Sequence, residues 1–139
     1  MKTKKLMKIL VAEDNAVNVA VLRVLLQRGG CEATCVTDGL SALNLFAKDK
    51  YDLVFMDLQL PIMDGFEAIR EMRKLEKTSR KTPIVVLSAC TLAEDQRLAL
   101  EAGADSYLAK PLRSRDVLEV LSRWGPRWYK TACSKNQAA

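Results

Sequence analysis

The chain of 139 residues contains no histidine, and only 6% of its residues are aromatic. Without histidine, a metal site would have to use oxygen or cysteine ligands, and the four cysteines show no spacing typical of zinc sites. The basic residues are not interleaved with aromatic residues, so the net charge of +5 gives only weak support for nucleic-acid binding. The basic start, residues 1–8, precedes an apolar run too short for a signal peptide or a membrane span.

The remaining composition is that of an ordinary globular protein. Hydrophobic residues make up 49% of the chain and charged residues 28%, and the length suits one domain with a substantial core. Cys31 and Cys35 lie four residues apart in a predicted strand, which places them about 13 Å apart. That distance is too long for a disulfide. Unpaired thiols favour a reducing compartment, and we therefore expect a cytoplasmic location.

One short stretch organises the chain. Residues 53–56 are apolar without interruption, and they are followed at once by Asp57 and by a loop rich in turn signals, residues 58–65. A continuous apolar run of this length, bounded by turns, is typical of a strand buried on both faces. Such strands form parallel sheets covered by helices, and ligands bind just beyond their carboxyl ends. Asp57 occupies that position.

Strand and helix patterns alternate five times along the chain. Strands are predicted over residues 9–12, 31–36, 53–56, 83–87 and 106–109, and helices over residues 16–27, 40–50, 65–77, 92–102 and 114–124. Asn15 is predicted to cap the first helix and Ser114 the last. This alternation predicts an α/β fold in which a five-stranded parallel sheet has helices on both faces and right-handed crossovers.

Chemically active residues follow four of these strands. Glu13 and Asp14 follow the first strand, Asp57 the third, Ser88 the fourth and Lys110 the fifth. Since the carboxyl ends of parallel strands meet at one edge of a sheet, we expect three acids, one hydroxyl and one cation in a single cleft. That coincidence across four strands is much stronger evidence than any one residue.

A cleft of this composition suits phosphoryl transfer. Three adjacent carboxylates repel one another and need a cation, and oxygen ligands alone favour Mg²⁺ or Mn²⁺. Lys110 is suited to hold an anion such as a phosphoryl group, and Ser88 can donate to one of its oxygens. An aspartate nucleophile forms an acyl phosphate. The residues therefore predict metal-assisted transfer of a phosphoryl group to Asp57.

The chain resembles the receiver domains of two-component response regulators over about residues 6–124. The resemblance rests on five motifs in family order and spacing: residues 11–15 (VAEDN), 54–57 (VFMD), 60–65 (LPIMDG), 101–105 (EAGAD) and 110–111 (KP). It implies a flavodoxin-like, doubly wound sheet of strand order 2-1-3-4-5 with five helices. It also implies a phosphoprotein that acts in signal transduction or a phosphorelay and that is not an enzyme beyond its own phosphorylation and dephosphorylation.

The resemblance assigns roles to individual residues. Asp57 would become the 4-aspartylphosphate, and Ser88 and Lys110 would contact the phosphoryl group. Asp14 would bind Mg²⁺ directly, Glu13 mostly through water, and Gln59 through its backbone carbonyl. The bond between Lys110 and Pro111 is cis in the family. Tyr107 would be the switch aromatic that moves with Ser88, and the variable residues Gln59 and Cys90 would tune the rate of hydrolysis.

The first helix is apolar nearly all round. In the family this helix docks the helical bundle that carries the donor histidine. We therefore expect the region of Val17, Val21 and Leu25 to bind a histidine kinase or a histidine phosphotransfer domain. Phosphorylation would then reshape the face formed by the fourth helix, the fifth strand and the fifth helix, for an output partner that the sequence does not name.

Three other functions share parts of this residue pattern. A phosphatase with an aspartate nucleophile would want a second acid where Gln59 stands, and a flavodoxin would bind phosphate where Glu13 and Asp14 would repel it. A receiver-like scaffold that is not phosphorylated would have lost acids or the lysine, and all are present.

The motif residues 56–61 resemble receivers of hybrid kinases, whereas Met1 favours a stand-alone regulator. Residues 125–139 are predicted to form a basic, flexible tail, in which Trp128 and Tyr129 could pack on the last helix or dock a partner.

Overall fold

The computed structural model describes residues 6–76, 81–89 and 93–129. Five strands and five helices alternate along the chain. The strands are β1 (Met7–Ala12), β2 (Cys31–Val36), β3 (Leu53–Asp57), β4 (Ile84–Ser88) and β5 (Ser106–Ala109). The helices are α1 (Ala16–Arg28), α2 (Gly39–Lys48), α3 (Gly65–Leu75), α4 (Ala93–Ala102) and α5 (Ser114–Trp124).

All five strands are parallel and lie in one sheet of order β2-β1-β3-β4-β5. The predicted fold class and strand order are thereby confirmed. β3 lies at the centre of the sheet, and all five of its residues are buried. The change of direction in strand order lies between β1 and β3, so the cleft at their carboxyl ends is the expected ligand site.

Side chains of the central strands alternate between two hydrophobic cores. Ile9 and Phe55 belong to the core beneath α1 and α5, whereas Leu10 and Val54 belong to the core beneath α2, α3 and α4. This alternation follows from the two-residue period of a strand. It explains why both faces of β1 and β3 are apolar and why the sequence shows continuous runs instead of alternation.

Helix starts are fixed mainly by side-chain caps. Asn15 accepts a hydrogen bond from the backbone N–H of Asn18, as predicted, while Asp38 and Asp64 cap α2 and α3 in the same way. The prediction for α5 was wrong, because Ser114 is its first helical residue and the position before it makes no side-chain cap. The predicted start of α4 at residue 92 lies outside the described residues.

Arg73 lies at the centre of a partly buried polar network. Its side chain is only 15% exposed and forms ion pairs with Glu76 and Asp105. It also donates to the backbone carbonyls of Gly103 and Thr82 at 2.9 and 2.8 Å. This network joins α3 to the end of α4 and to the start of β4, and it gives the 101–105 motif a structural role.

The chain continues past α5 into a folded turn, which corrects the prediction of a flexible tail from residue 125. Tyr129 is only 5% exposed, and its hydroxyl donates a 2.6 Å hydrogen bond to the carbonyl of Gly29. Trp128 packs edge-to-face against Tyr129 and against the core beneath α1 and α5. These contacts show that Trp128 and Tyr129 pack back on their own domain. The remainder of that predicted tail, residues 130–139, lies outside the described residues.

Candidate functional site

A cleft of about 680 Å³ lies at the carboxyl edge of the sheet. Its walls include every residue that the strand-end argument selected: Glu13, Asp14, Asp57, Ser88 and Lys110. The structure thus brings together side chains that are up to 97 residues apart in the sequence. Each of these residues lies at or just after the end of a strand, because parallel strands deliver their carboxyl ends to the same edge.

Lys110 joins the two sides of this cleft. Its Nζ lies 2.7 Å from Asp57 Oδ2 and 2.8 Å from Glu13 Oε2. Burial lowers the pKa of Lys110, but its contacts with Asp57 and Glu13 more than offset that effect, so that the pKa lies above the usual value for lysine. The lysine therefore remains a cation across the physiological range and neutralises part of the acid charge. The Lys110–Pro111 peptide bond is cis, as the resemblance implied.

Glu13 is fully buried, which is unusual for a carboxylate. Its Oε1 accepts a hydrogen bond of 3.1 Å from the backbone N–H of Asn15. Its Oε2 has only the ion-pair contact with Lys110, and no group in the described ranges reaches that oxygen with hydrogen-bond geometry. Burial raises the pKa of Glu13, the contact with Lys110 opposes this, and the nearby Asp57 adds to the rise, so that the pKa lies above the usual range.

Asp57 is held in one orientation by two donors. Its Oδ1 accepts the backbone N–H of Gln59 at 2.9 Å, and its Oδ2 accepts from Lys110. Gly65 allows α3 to begin directly against this strand end, because a Cβ at residue 65 would overlap the backbone of Asp57 and Leu58. The carboxylate is 5% exposed by residue, yet it faces the cleft. It can be reached from solvent only through that opening.

Three of the carboxylates form a group able to hold a metal ion. Oxygen atoms of Glu13, Asp14 and Asp57 all lie within 4.8 Å of one another. Asp14 is exposed, whereas the other two are buried, so the group opens toward solvent on one side. Oxygen-only ligands at this spacing suit Mg²⁺ or Mn²⁺. The incompletely satisfied Oε2 of buried Glu13 fits the same conclusion, since a bound cation would supply the missing partner.

Ser88 and Tyr107 lie on neighbouring strands. Ser88 is buried at the end of β4 and lines the cleft, and its carbonyl accepts the backbone N–H of Lys110 at 2.8 Å. Tyr107 in β5 pairs with Val86 in β4 and is half-buried. It lines a separate groove of about 190 Å³ between β5 and α5, together with Trp124. Because Tyr107 pairs with Val86 and Ser88 follows Val86 by two residues, the two predicted switch residues lie on the same face of the sheet, and Tyr107 packs against the core beneath α2, α3 and α4.

The structure adds cleft residues that the sequence reasoning did not assign to the site. They include Asn15, Asn18, Phe66 and Asp95, and also Leu58, which directly follows Asp57. The first two stand on the opening turn of α1 directly after the acidic pair, so their helical position could have suggested them. Phe66 and Asp95 come from α3 and α4, and nothing in their sequence spacing points to the cleft. Gln59 lines the cleft and is exposed, whereas Cys90 lies outside the described residues.

The family model described as "Response regulator receiver domain" matches residues 9–122. That range contains all five strands except the first residues of β1, and it contains the whole acid and lysine constellation. The chain belongs to the response regulator receiver domain family. Its place among signalling domains of two-component and phosphorelay systems follows from this membership.

Curated relatives of this receiver are much longer proteins. It is 38% identical over 122 residues to hybrid signal transduction histidine kinase G of Dictyostelium discoideum, covering 86% of this chain and 4% of that protein. It is 40% identical over 119 residues to the peroxide stress-activated histidine kinase mak1 of Schizosaccharomyces pombe, covering 82% of this chain and 7% of that protein. The receiver thus spans less than a tenth of the length of either relative.

Solved receiver structures agree with the fold. The receiver domain of sensor histidine kinase PA1611 from Pseudomonas aeruginosa, with magnesium coordinated in its active-site cleft, matches with a TM-score of 0.79 and 38% identity. That match covers 86% of this chain and 98% of the other. A second match is the Saccharomyces cerevisiae co-crystal structure of the histidine phosphotransfer protein Ypd1 and the receiver domain of Ssk1, with a TM-score of 0.81 and 32% identity. It covers 89% of this chain and 92% of the matched chain.

The helices of the described ranges are all too short or too polar to cross a membrane.

Proposed function

We propose that this receiver accepts a phosphoryl group from a phosphohistidine donor onto Asp57 in a Mg²⁺-dependent reaction. The observation that carries the proposal is the position of Asp57, whose carboxylate is fixed by Lys110 and by the backbone of Gln59 inside an acid-lined cleft. Fixing the nucleophile in this way lowers the entropic part of the barrier.

Asp57, Glu13, Asp14 and the backbone carbonyl of Gln59 are the proposed holders of Mg²⁺ or Mn²⁺. The compact carboxylate group supports this assignment, as does the buried Glu13 Oε2, which has only its ion-pair contact with Lys110 among the described residues. The magnesium in the active-site cleft of the PA1611 receiver supports it by similarity. When bound, the ion would neutralise the acids and the charge on the transferring phosphoryl group.

In the transfer step, one carboxylate oxygen of Asp57 forms a bond to phosphorus. The bond from phosphorus to the donor imidazole nitrogen breaks, and that nitrogen keeps the electron pair. The ammonium group of Lys110, already beside Asp57, contacts an oxygen of the arriving phosphoryl group, and the hydroxyl of Ser88 donates to another. Attack by water later releases phosphate, so the receiver catalyses only its own phosphorylation and dephosphorylation.

We propose that the switch uses the pairing of β4 with β5. Phosphorylation adds about −1.5 to −2 charges to the cleft. Ser88 moves toward the new oxygens, and the chain after β4 follows it. Tyr107, which packs against the core beneath α2, α3 and α4 and borders the groove beside α5, then changes position and reshapes the surface formed by α4, β5 and α5. Gln59 and Cys90 are the proposed determinants of how quickly water removes the phosphoryl group.

The donor is proposed to dock on α1, with one correction to the predicted surface. Leu25 is only 8% exposed and belongs to the core, so it cannot contact a partner. The exposed apolar residues of this helix are Val17, Val21 and Val24, at 69%, 38% and 47%. The Ypd1 and Ssk1 receiver complex, which contains a phosphotransfer protein bound to a receiver, supports a partner of this kind.

Transfer from a phosphorylated histidine phosphotransfer domain tests this function. We expect Asp57→Asn to abolish transfer, and the double variant Val17→Ser with Val24→Ser to slow transfer without changing phosphorylation by acetyl phosphate. Leu75→Ser is the matched control, because Leu75 is 41% exposed on α3, which packs on the other face of the sheet. Equal slowing by the control variant would reject the α1 surface, and transfer to Asp57→Asn would reject the acceptor. The cytoplasmic location expected from the sequence stays a prediction.

A further inference from the structure

Asp95 brings a fourth acid to the wall of the cleft. It stands in the first turn of α4, is half-buried, and lines the same cleft as Asp57 and Lys110. Among the described residues, the acids whose oxygens lie within metal-binding distance of one another are Glu13, Asp14 and Asp57. Asp95 therefore contributes charge to the cleft without belonging to that group.

The neighbouring acid Glu94 shows what an ordinary surface residue of this turn does. Its side chain is 62% exposed and pairs with Arg97 on the outer face of α4, where the guanidinium also reaches Glu101. Asp95 makes no hydrogen bond or ion pair with any residue in the described part of the chain. Asp95 lines the cleft, whereas Glu94 does not. Its charge is therefore directed at whatever enters the cleft.

The charge balance of the cleft gives this position a consequence. Among the described residues, its ionisable walls are the carboxylates of Glu13, Asp14, Asp57 and Asp95 and the ammonium group of Lys110. Lys110 already contacts Asp57 and Glu13, so it does not compensate Asp95. An incoming phosphoryl donor is an anion, and a carboxylate on the wall repels it with an energy that grows with the charge of the donor.

We propose that Asp95 is a specificity-determining residue that disfavours strongly anionic phosphoryl donors and favours donors of lower negative charge. This inference rests on the proposed phosphorylation of Asp57. It applies to small-molecule donors and equally to a protein donor, for which the relevant charge is the charge around the phosphohistidine. In each reaction an Asp57 oxygen bonds to phosphorus. Acetyl phosphate loses acetate, which keeps the electron pair of the broken P–O bond, and phosphoramidate loses ammonia, which keeps the pair of the broken P–N bond.

The test compares two donors that differ by one charge. Acetyl phosphate is a dianion near neutral pH, whereas phosphoramidate also carries an ammonium group and is less negative. Initial rates of Asp57 phosphorylation are measured with saturating Mg²⁺ for the wild type, Asp95→Asn, Asp95→Ser and Asp95→Glu. Glu94→Gln is the matched control, because it removes the same charge from the same turn outside the cleft.

We expect both neutral variants of Asp95 to react with acetyl phosphate roughly two- to five-fold faster, and to gain less with phosphoramidate. The change in the ratio of the two rates is a readout that a purely structural role would not move. The gain should shrink as ionic strength rises from about 0.1 M to about 1 M, where the screening length falls from about 10 to about 3 Å. Asp95→Glu and Glu94→Gln should keep the wild-type ratio.

Three results would overturn the inference: no gain in either neutral variant, an equal gain with both donors, or the same shift in Glu94→Gln. Failure of the underlying function would give a different result. In that case neither donor would phosphorylate the wild type, or Asp57→Asn would still be phosphorylated. A fold defect is recognised by comparing circular dichroism of the two neutral variants, and the inference requires that both give the same change in ratio.

Discussion

The ammonium group of Lys110 lies 2.7 Å from Asp57 Oδ2 and 2.8 Å from Glu13 Oε2. One cation from the residue after β5 is thus shared by carboxylates from the ends of β3 and β1. In the proposed function, these three groups and Asp14 set the electrostatics of metal binding and of the transfer.

Replacing Lys110 with methionine should destabilise the metal-free protein by about 2–4 kcal/mol, because buried Glu13 would lose its cation. Added Mg²⁺ should restore part of this loss by taking over the neutralisation. Urea unfolding with and without Mg²⁺ measures both effects. Lys81→Met is the control, since Lys81 is 55% exposed and its surface pair with Asp105 is worth about 0–1 kcal/mol. A similar loss for both variants would contradict the role assigned to Lys110.

The buried carboxyl of Glu13 should give the metal-free protein a pH-dependent stability. Because burial raises its pKa in the folded state, folding favours the protonated form. The contribution to stability is full below the unfolded pKa of about 4.3 and is lost as pH rises through the raised folded pKa. Lys110 stays charged across that window, because its own pKa is raised. We expect this decline in the free energy of unfolding for the wild type and a flatter profile for Glu13→Gln.

Binding of Mg²⁺ should show the opposite trend with pH. The ion needs the ionised carboxylate, so its affinity should weaken as pH falls through the raised pKa of Glu13. Calorimetric titration of the wild type at several pH values measures this. An affinity for Mg²⁺ that stays constant across the window would contradict the inclusion of Glu13 in the metal group.

Substitution of Arg73 should reveal its structural role far from the cleft. Arg73→Met removes one donor from each of Asp105, Glu76 and two backbone carbonyls, and we expect a loss of about 2–4 kcal/mol in the free energy of unfolding. Lys74→Met should change stability by less than about 0.5 kcal/mol, because its side chain is 72% exposed. Equal effects of the two substitutions would show that the network does not stabilise the fold.

The sequence predicted most of the fold and the central part of the site. Continuous apolar runs such as residues 53–56 identified strands buried on both faces, and strand ends then placed Asp57, Ser88 and Lys110 at one edge. This worked because the topology of a parallel sheet converts sequence position into spatial proximity. The position of Asp95 could not be found in this way, because it depends on how α4 packs beside the sheet and not on the end of a strand.

Two other misses have the same physical origin. The sequence around Arg73 gives no sign of its role, and only the tertiary arrangement shows that four partners converge on it. The amphipathic pattern of α1 could not separate Leu25, which is buried, from Val24, which is exposed, because the helix is apolar on nearly every side. Local sequence patterns identify helices better than they identify the surface to which each residue belongs.

The turn after α5 should contribute measurably to stability. Tyr129→Phe keeps the ring but removes the hydrogen bond to Gly29, and we expect a loss of about 0.5–1.5 kcal/mol. A chain ending at residue 125 also loses the buried ring beside Gly29 and Gly125, and should lose about 3 kcal/mol or more. A chain ending at residue 129 is the control for the removal of the later residues. If the chain ending at residue 125 unfolded at the same urea concentration as that control, the turn would not contribute to the stability of the domain.

The central claim, phosphorylation of Asp57, is tested most directly by the intact mass of the protein after incubation with acetyl phosphate. Three samples are compared: the wild type in the presence of Mg²⁺, the wild type in its absence, and the Asp57→Asn variant. A single added phosphoryl group that requires both the metal and Asp57 is the predicted result, and binding of beryllofluoride with a change in tryptophan fluorescence would report the same site if hydrolysis is fast. An adduct on Asp57→Asn, or neither adduct nor beryllofluoride response in the wild type, would contradict the account.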